Sequence, residues 1–170
     1  STLAKNNNTE PPMFCMLLRK HLGGGKLLSI TQPDMERIVT LSIEATNELG
    51  DKETKLLTIE IMGRHSNIIL MKQDGTIIDS IKHISSDKSS IREVLPNRTY
   101  VRPPSQDKLS PLQLTKEHLA GKLASKENSI YKGLYTSFNG LSPIFAQALC
   151  FEAGLDSNAL ISTLEPTALT

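Results

Sequence analysis

The sequence contains no tryptophan, only three tyrosines and four phenylalanines, and two cysteines among 170 residues. With aromatics this scarce, a core has to rest on Ile, Leu and Met, and a surface that holds nucleic acid by stacking bases has few rings to use. Cys15 and Cys150 lie in apolar runs far apart in the chain. The plain reading is two buried free thiols in a reducing compartment, with a disulfide open but not required. No apolar run approaches the roughly 18 residues that span a bilayer, so membrane insertion is not expected. The N-terminus lacks a basic region followed by an apolar segment and a cleavage site, which points to the cytoplasm. Ser1 to Thr9 is a polar, Asn-rich lead without Met, and it reads as the start of an internal fragment.

Charge of either sign is not in excess: the net charge is +1, with 22% charged and 38% hydrophobic residues. That is an ordinary balance for a soluble globular chain, and any affinity for a polyanion has to come from a local cluster. The four histidines, at 21, 65, 83 and 118, show no His-x-x-x-His spacing, and no Cys-x-x-Cys exists, so no metal site is expected. Neither Gly-x-Ser-x-Gly nor Gly-Lys-Ser/Thr occurs, and no nucleophile stands at useful spacing from a base. The sequence is therefore read as non-enzymatic and without a cofactor.

What is present is organised around Leu56 to Leu70. Leu57, Ile59 and Ile61 fall on one face and Thr58, Glu60 and Met62 on the other, the period-2 signature of a half-buried strand. Ile68 to Met71 has no polar face and should be an inner strand covered on both sides. Gly63 suits the positive φ of a tight connection, Ser66 and Asn67 can hydrogen-bond nearby backbone, and Arg64 and His65 are carried to the tip. Around this hairpin the spacing predicts strands over Lys26 to Gln32, Glu36 to Thr46, Thr54 to Met62, Asn67 to Lys72 and Thr76 to Ile84. Short turns at Pro33-Asp34 and Gln73-Asp74-Gly75 make these an antiparallel meander. In the second strand Val39, Leu41, Ile43 and Ala45 alternate with Thr40, Ser42 and Glu44, so one of its sides should face water.

Before the strands, Thr9 to Leu22 reads as a helix ended by Gly23-Gly24-Gly25, and its apolar Met13 to Leu18 stretch as buried core. After them, Ile91 to Leu95 is a short helix or strand, and Pro96 to Pro104 an extended connector. Helical periodicity then takes over at Pro111 to Ala124, Asn128 to Phe138, Ser142 to Ala153 and Asp156 to Leu164. The expected fold class is α+β: an antiparallel β-sandwich or half-barrel over residues 1–104 and a small helical domain over residues 105–170. In the turn Phe138 to Pro143, Asn139 and Gly140 fit left-handed geometry, and Ser142 can cap a helix begun by Pro143. The N–H groups there suit a phosphate as well as they suit an ordinary helix turn. Ile144, Phe145, Ala148, Leu149 and Phe151, with Cys150, are the expected core-facing residues of that last pair of helices. Glu36-Arg37 should open a strand with the two side chains on opposite faces, a strand-end charge pair on physical grounds alone. Arg64 and His65, with Arg98 and Arg102, offer a scattered basic surface.

Glu60-Ile61-Met62-Gly63-Arg64-His65-Ser66-Asn67-Ile68-Ile69-Leu70 resembles a signature of the bacterial NFACT family, the fibronectin-binding protein A-like proteins and RqcH-type ribosome quality-control factors. Three further stretches match in the same order: Glu10 to Lys20, Gly75 to His83, and Tyr100 to Pro104 followed by Gln106 to Leu109. The resemblance implies a domain like the N-terminal domain of formamidopyrimidine-DNA glycosylases, followed by a helix-hairpin-helix domain, with further family strands before the Pro-Pro-Met-Phe-Cys block. It gives no warrant for glycosylase chemistry, which needs an N-terminal Pro-Glu where this chain begins Ser-Thr. It implies binding of tRNA and the large ribosomal subunit during C-terminal tailing of stalled nascent chains. Glu36 and Arg37 stand at the family's Asp-Arg position, with Glu one methylene longer. Arg64, Gly140 and Ser142 join them as expected RNA contacts. Family members also bind fibronectin or fibrinogen, so an adhesin reaching the cell surface without a signal peptide is the second expectation.

Overall fold

The computed structural model describes residues 10–87, 91–104, 108–124 and 127–163. The chain divides into two compact units, Ser1–Gln32 with Arg37–Pro103, and Pro33–Glu36 with Pro104–Thr170. The first unit carries helix α1 (Met13–Leu22) and five strands: β1 (Lys26–Thr31), β2 (Ile38–Thr46), β3 (Lys52–Glu60), β4 (Asn67–Lys72) and β5 (Ile77–Ser80). They form one antiparallel sheet in the order β1-β2-β3-β4-β5. This is the meander expected from the run of short turns, and the class is α+β.

The turns are made by the residues suited to them. Gly75 has φ 85° and follows Asp74, whose side-chain oxygen accepts from the Thr76 N–H at 2.8 Å. Asn47 holds the β2–β3 loop by accepting from the N–H groups of Leu49 and Asp51, both at 2.9 Å. Gly25 closes the passage from α1 to β1, where a Cβ would sit 2.8 Å from Ile43 Cγ2.

Strand β4 lies between β3 and β5, and Ile69, Leu70 and Met71 are 0 to 3% exposed, in keeping with a strand apolar on both sides. The core on one sheet face joins Ile69, Met71, Ile77 and Val94, packed by Leu56, Ile84 and Tyr100. Each such aliphatic contributes about 1.5–3 kcal/mol on burial. On β3 the buried half is the polar one: Thr58 and Glu60 are each 1% exposed, whereas Ile61 is 55% exposed. Thr58 shares a 2.9 Å hydroxyl–hydroxyl hydrogen bond with Thr40. On the opposite face Val39, Leu41, Ile43, Leu57, Ile59 and Ile68 are half-buried, while Leu70, paired with Leu57, is fully buried. Strand β2 therefore does not show one wet and one dry side; all seven residues from Val39 to Ala45 are at least partly covered.

Other boundaries shift. β2 begins at Ile38, so Glu36 and Arg37 precede it rather than open it, and β5 stops at Ser80. Helix α1 contains no buried residue, Met13 is 78% exposed and Cys15 is half-buried. The expected buried helix and buried thiol are corrected there, because an apolar stretch without a polar face shows no preferred side. Residues 91–95 form no helix or strand; Val94 makes a single antiparallel bridge to Ile84. Thr9, Gln106, Asp107 and Leu164, which bound some expected segments, lie outside the described residues.

The second unit is helical: α2 (Lys116–Ala124), α3 (Ile130–Ser137) and α4 (Pro143–Glu152). Leu123, Ile130, Phe138, Cys150 and Ile161 form its core. Gly133 lies beneath Ile161, whose Cδ1 would have to move for an added Cβ. The expected helix from Pro111 breaks at Leu114, which is extended, leaving a 3-10 turn over Pro111–Gln113. Asp156 to Thr163 likewise forms turns and a 3-10 turn over Ile161–Thr163 rather than a helix. On α4 the inward stripe is Ala146 and Cys150, one turn apart, whereas Ile144, Phe145, Ala148, Leu149 and Phe151 are exposed.

Candidate nucleic-acid interface

In the first unit, cationic side chains from three connections gather at one end of the sheet. Arg37 lies one residue before β2, and its carbonyl accepts from the Ile61 N–H at 2.8 Å. This hydrogen bond extends the β2–β3 ladder by one pair and fixes the Arg37 backbone. The side chain is exposed and makes no hydrogen bond or ion pair among the described residues.

From Ile61 the chain passes into a 3-10 turn over Gly63–His65, with Gly63 at φ 57°. Ser66 clamps this turn by accepting from the Met62 N–H at 2.9 Å. Arg64 and His65 are exposed on it, and Arg64 Nε donates to His65 Nε2 at 3.0 Å. Lys82, just beyond β5, donates from Nζ to the Arg64 carbonyl at 3.0 Å. Sequence reading missed Lys82. Its only signal was the pair of polar residues, Asn67 and Ser80, set into otherwise apolar strand ends.

The carboxylates near this end are already engaged. Glu60 is buried and accepts from both terminal nitrogens of Arg92, at 2.7 and 2.5 Å, and from the Tyr100 hydroxyl at 2.8 Å. Burial and the facing Glu60 carboxylate push the Tyr100 phenol well above its ordinary pKa. Asp79 Oδ1 accepts from His83 Nε2 at 2.6 Å. Glu60 and Asp79 are thus taken up by Arg92, Tyr100 and His83, and not by Arg37, Arg64 or Lys82. Of the other expected basic residues, Arg98 pairs with Glu93 at 3.3 Å and Arg102 is exposed.

The remaining expected contacts belong to the second unit. Glu36 is half-buried in a turn in which its N–H donates to the Pro33 carbonyl at 2.9 Å. Asp34, at φ 47°, accepts from the Ser110 hydroxyl at 2.6 Å. Gly140 has φ 76°, and an added Cβ would lie 2.6 Å from Met35 Cε. The turn containing Glu36 is therefore packed onto the α3–α4 connection through Met35. Asn139 does not share the left-handed geometry; its N–H donates to the Leu109 carbonyl at 2.9 Å. Ser142 caps α4 by accepting from the Phe145 N–H at 3.1 Å, and Pro143 occupies the first turn. Among the described residues no group of three or more His, Cys, Asp or Glu is placed to hold a metal ion, and no helix is long and apolar enough to cross a membrane.

The family model for NFACT N-terminal and middle domains matches residues 1–170. The chain belongs to the NFACT family. Among curated NFACT relatives, the Rqc2 homolog RqcH of Bacillus subtilis is 45% identical over 153 residues, 89% of this chain and 27% of its own length. Two solved structures are also similar. The N-terminal domain of fibronectin-binding protein PavA from Streptococcus pneumoniae matches at TM-score 0.73 and 38% identity, over 88% of this chain and 58% of that one. The fibrinogen-binding protein from Staphylococcus aureus matches at TM-score 0.79 and 31% identity, over 95% and 57%. This NFACT chain thus spans about a quarter of the curated relative's length and under three-fifths of those solved chains.

Proposed function

We propose that this chain is a non-enzymatic RNA- and ribosome-binding module of ribosome-associated quality control, acting in the cytoplasm. It would recognise tRNA and the large ribosomal subunit during C-terminal tailing of stalled nascent chains. The observation that carries this reading is the exposed guanidinium of Arg37, without a partner among the described residues, at the same sheet end as Arg64, with Glu60 and Asp79 already engaged. A guanidinium held on a strand end suits phosphate, which it meets through two parallel hydrogen bonds. Glu36, Gly140 and Ser142 complete the proposed contacts, the last two through N–H groups at the start of α4. The half-bare aliphatic sheet face supports a sandwich or half-barrel like that of the formamidopyrimidine-DNA glycosylases. The capped α3–α4 turn supports a helix-hairpin-helix domain in the C-terminal part, from residue 105.

The test is binding of purified chain to tRNA and to fibronectin, for wild type and Arg37→Ala. The expected result is weaker tRNA binding by the variant, with affinity that falls steeply as salt rises. Equal tRNA affinity for the two proteins rules the Arg37 assignment out.

A second reading, a fibronectin- or fibrinogen-binding adhesin at the cell surface, is favoured by the similarity to the solved fibronectin- and fibrinogen-binding proteins. Its interface would lie on the exposed edge strand β1 or on the helical part. Binding to fibronectin that is strong, shallow in its salt dependence and indifferent to Arg37→Ala is its signature.

A further inference from the structure

We infer that Lys82 and Arg64 form a two-point clamp on the phosphodiester backbone of RNA, a contact additional to Arg37. This inference rests on the RNA-binding reading above and adds a residue and a mode of contact to it.

The clamp is built from inside the sheet. Asn67 is 3% exposed and Ser80 4% exposed, and both spend their polar atoms on the backbone of Lys82. Asn67 Oδ1 accepts from the Lys82 N–H at 3.0 Å, and also from the Ile68 N–H at 3.0 Å. Asn67 Nδ2 donates to the Lys82 carbonyl at 2.9 Å, and the Ser80 hydroxyl donates to the same carbonyl at 3.0 Å. Buried amides and hydroxyls are costly unless satisfied, so the three bonds to the Lys82 backbone hold an exposed lysine at a fixed place.

The lysine then reaches back to the other strand connection. Its ammonium donates to a main-chain carbonyl, that of Arg64, and not to a carboxylate. That bond orients the charge without neutralising it. Arg64 uses Nε on His65, and its two terminal nitrogens have no partner among the described residues. An ammonium and the open end of a guanidinium are thereby tied to one another through the Gly63–His65 turn. Such a pair offers a point charge and a planar fork, complementary to the oxygens of successive phosphates.

Among the described residues this end of the sheet exposes no Phe, Tyr or Trp ring near the clamp, and Tyr100 is committed to Glu60 on the buried face. The ring beside Arg64 is the His65 imidazole, whose Nε2 accepts from Arg64 Nε, so backbone contact and not an extended stacking platform is what the clamp offers. The clamp should hold the backbone of a folded RNA regardless of sequence.

The experiment measures tRNA binding across a salt series for wild type, Arg37→Ala, Lys82→Gln and Arg64→Gln, with polyglutamate as a competing polyanion. The expected result is that Lys82→Gln and Arg64→Gln each weaken binding by about fivefold to tenfold and reduce the slope of log affinity against log salt by about 1. Both substitutions are on exposed side chains, and an unchanged thermal midpoint confirms that each variant is folded. Wild-type affinity and slope in both variants, with Arg37→Ala weakened, overturns the clamp and leaves the RNA reading intact. Failure of all four proteins to bind tRNA overturns both. Competition by polyglutamate as effective per charge as tRNA assigns the patch to acidic protein instead and also overturns the clamp.

Discussion

Arg92 places both terminal nitrogens on the buried carboxylate of Glu60, 32 residues away in sequence, with their side chains 8% and 0% exposed. Arg92 also donates to the Val101 carbonyl at 2.9 Å. One side chain thus joins the end of β3 to the connector that follows the sheet. Removing one partner of a buried pair leaves the other charge stranded, at a cost of about 3–5 kcal/mol. Arg92→Ala should lower stability by that amount in urea denaturation. Arg92→Leu combined with Glu60→Leu should recover much of it, since neither charge then remains. A loss under about 1 kcal/mol for Arg92→Ala would show that the pair contributes little.

The Tyr100 phenol is raised by burial and by Glu60. In the unfolded chain it ionises near its ordinary value of about 10, whereas the folded chain holds the proton to higher pH. Its contribution to stability is complete below pH 10 and declines as pH rises beyond it. Ultraviolet titration should show one of the three tyrosines ionising late, together with unfolding. Tyr100→Phe should abolish the late step and cost about 1–2 kcal/mol through the unsatisfied carboxylate.

His21 titrates in the opposite sense. Burial, then Lys55 and Lys20, lower its pKa from 6.5. It lines a cavity of about 270 Å³ with Asn47, Glu48 and Glu53, where Lys20 meets Glu48 at 2.9 Å and Lys55 pairs with Glu53. The folded state resists protonation that the unfolded chain accepts. Stability is therefore full above pH 6.5 and falls as the pH drops below it, toward the lowered folded value. The thermal midpoint should decrease between pH 7.5 and 5.5, and His21→Gln should flatten that decrease. An identical pH profile for the two proteins would dismiss His21 as its source.

Gly140→Ala should destabilise the helical unit by about 1–3 kcal/mol, because φ 76° strains a residue with a Cβ. The added carbon also meets Met35, so Met35→Ala in the same chain should relieve the contact while the backbone strain persists. Differential scanning calorimetry of the three variants separates the two parts. Additive losses in the double variant would mean that Met35 and Gly140 do not act on each other.

Much of the sheet is legible before any coordinates. Asn67 to Lys72 reads as a strand whose Ile68 to Met71 run is apolar on both sides, and it is β4 with those bounds. Gly75 and Gly63 stand where the chain needs positive φ. These features depend on neighbours a few residues apart, which sequence pattern records well. The side of β3 that becomes buried was not legible. Glu60 goes inside only because Arg92 and Tyr100, 32 and 40 residues later, arrive to satisfy it. The inward stripe of α4 was hidden for another reason: a helix apolar all round has no polar face to mark which side turns outward. In the candidate interface, Arg37 and Arg64 could be named from sequence, but Lys82 could not. Its place depends on Asn67 and Ser80 turning inward, and that is a property of the sheet register.

Strand β1 is exposed at all six positions, and among the described residues its neighbour in the sheet is β2. Its outer row of amide and carbonyl groups is a template on which another extended segment can lie, including the same strand of a second molecule. Lys26 is its sole charge. The irregularity between Leu27 and Ser29 breaks the regular spacing of that row, a feature that blunts an edge against open-ended growth.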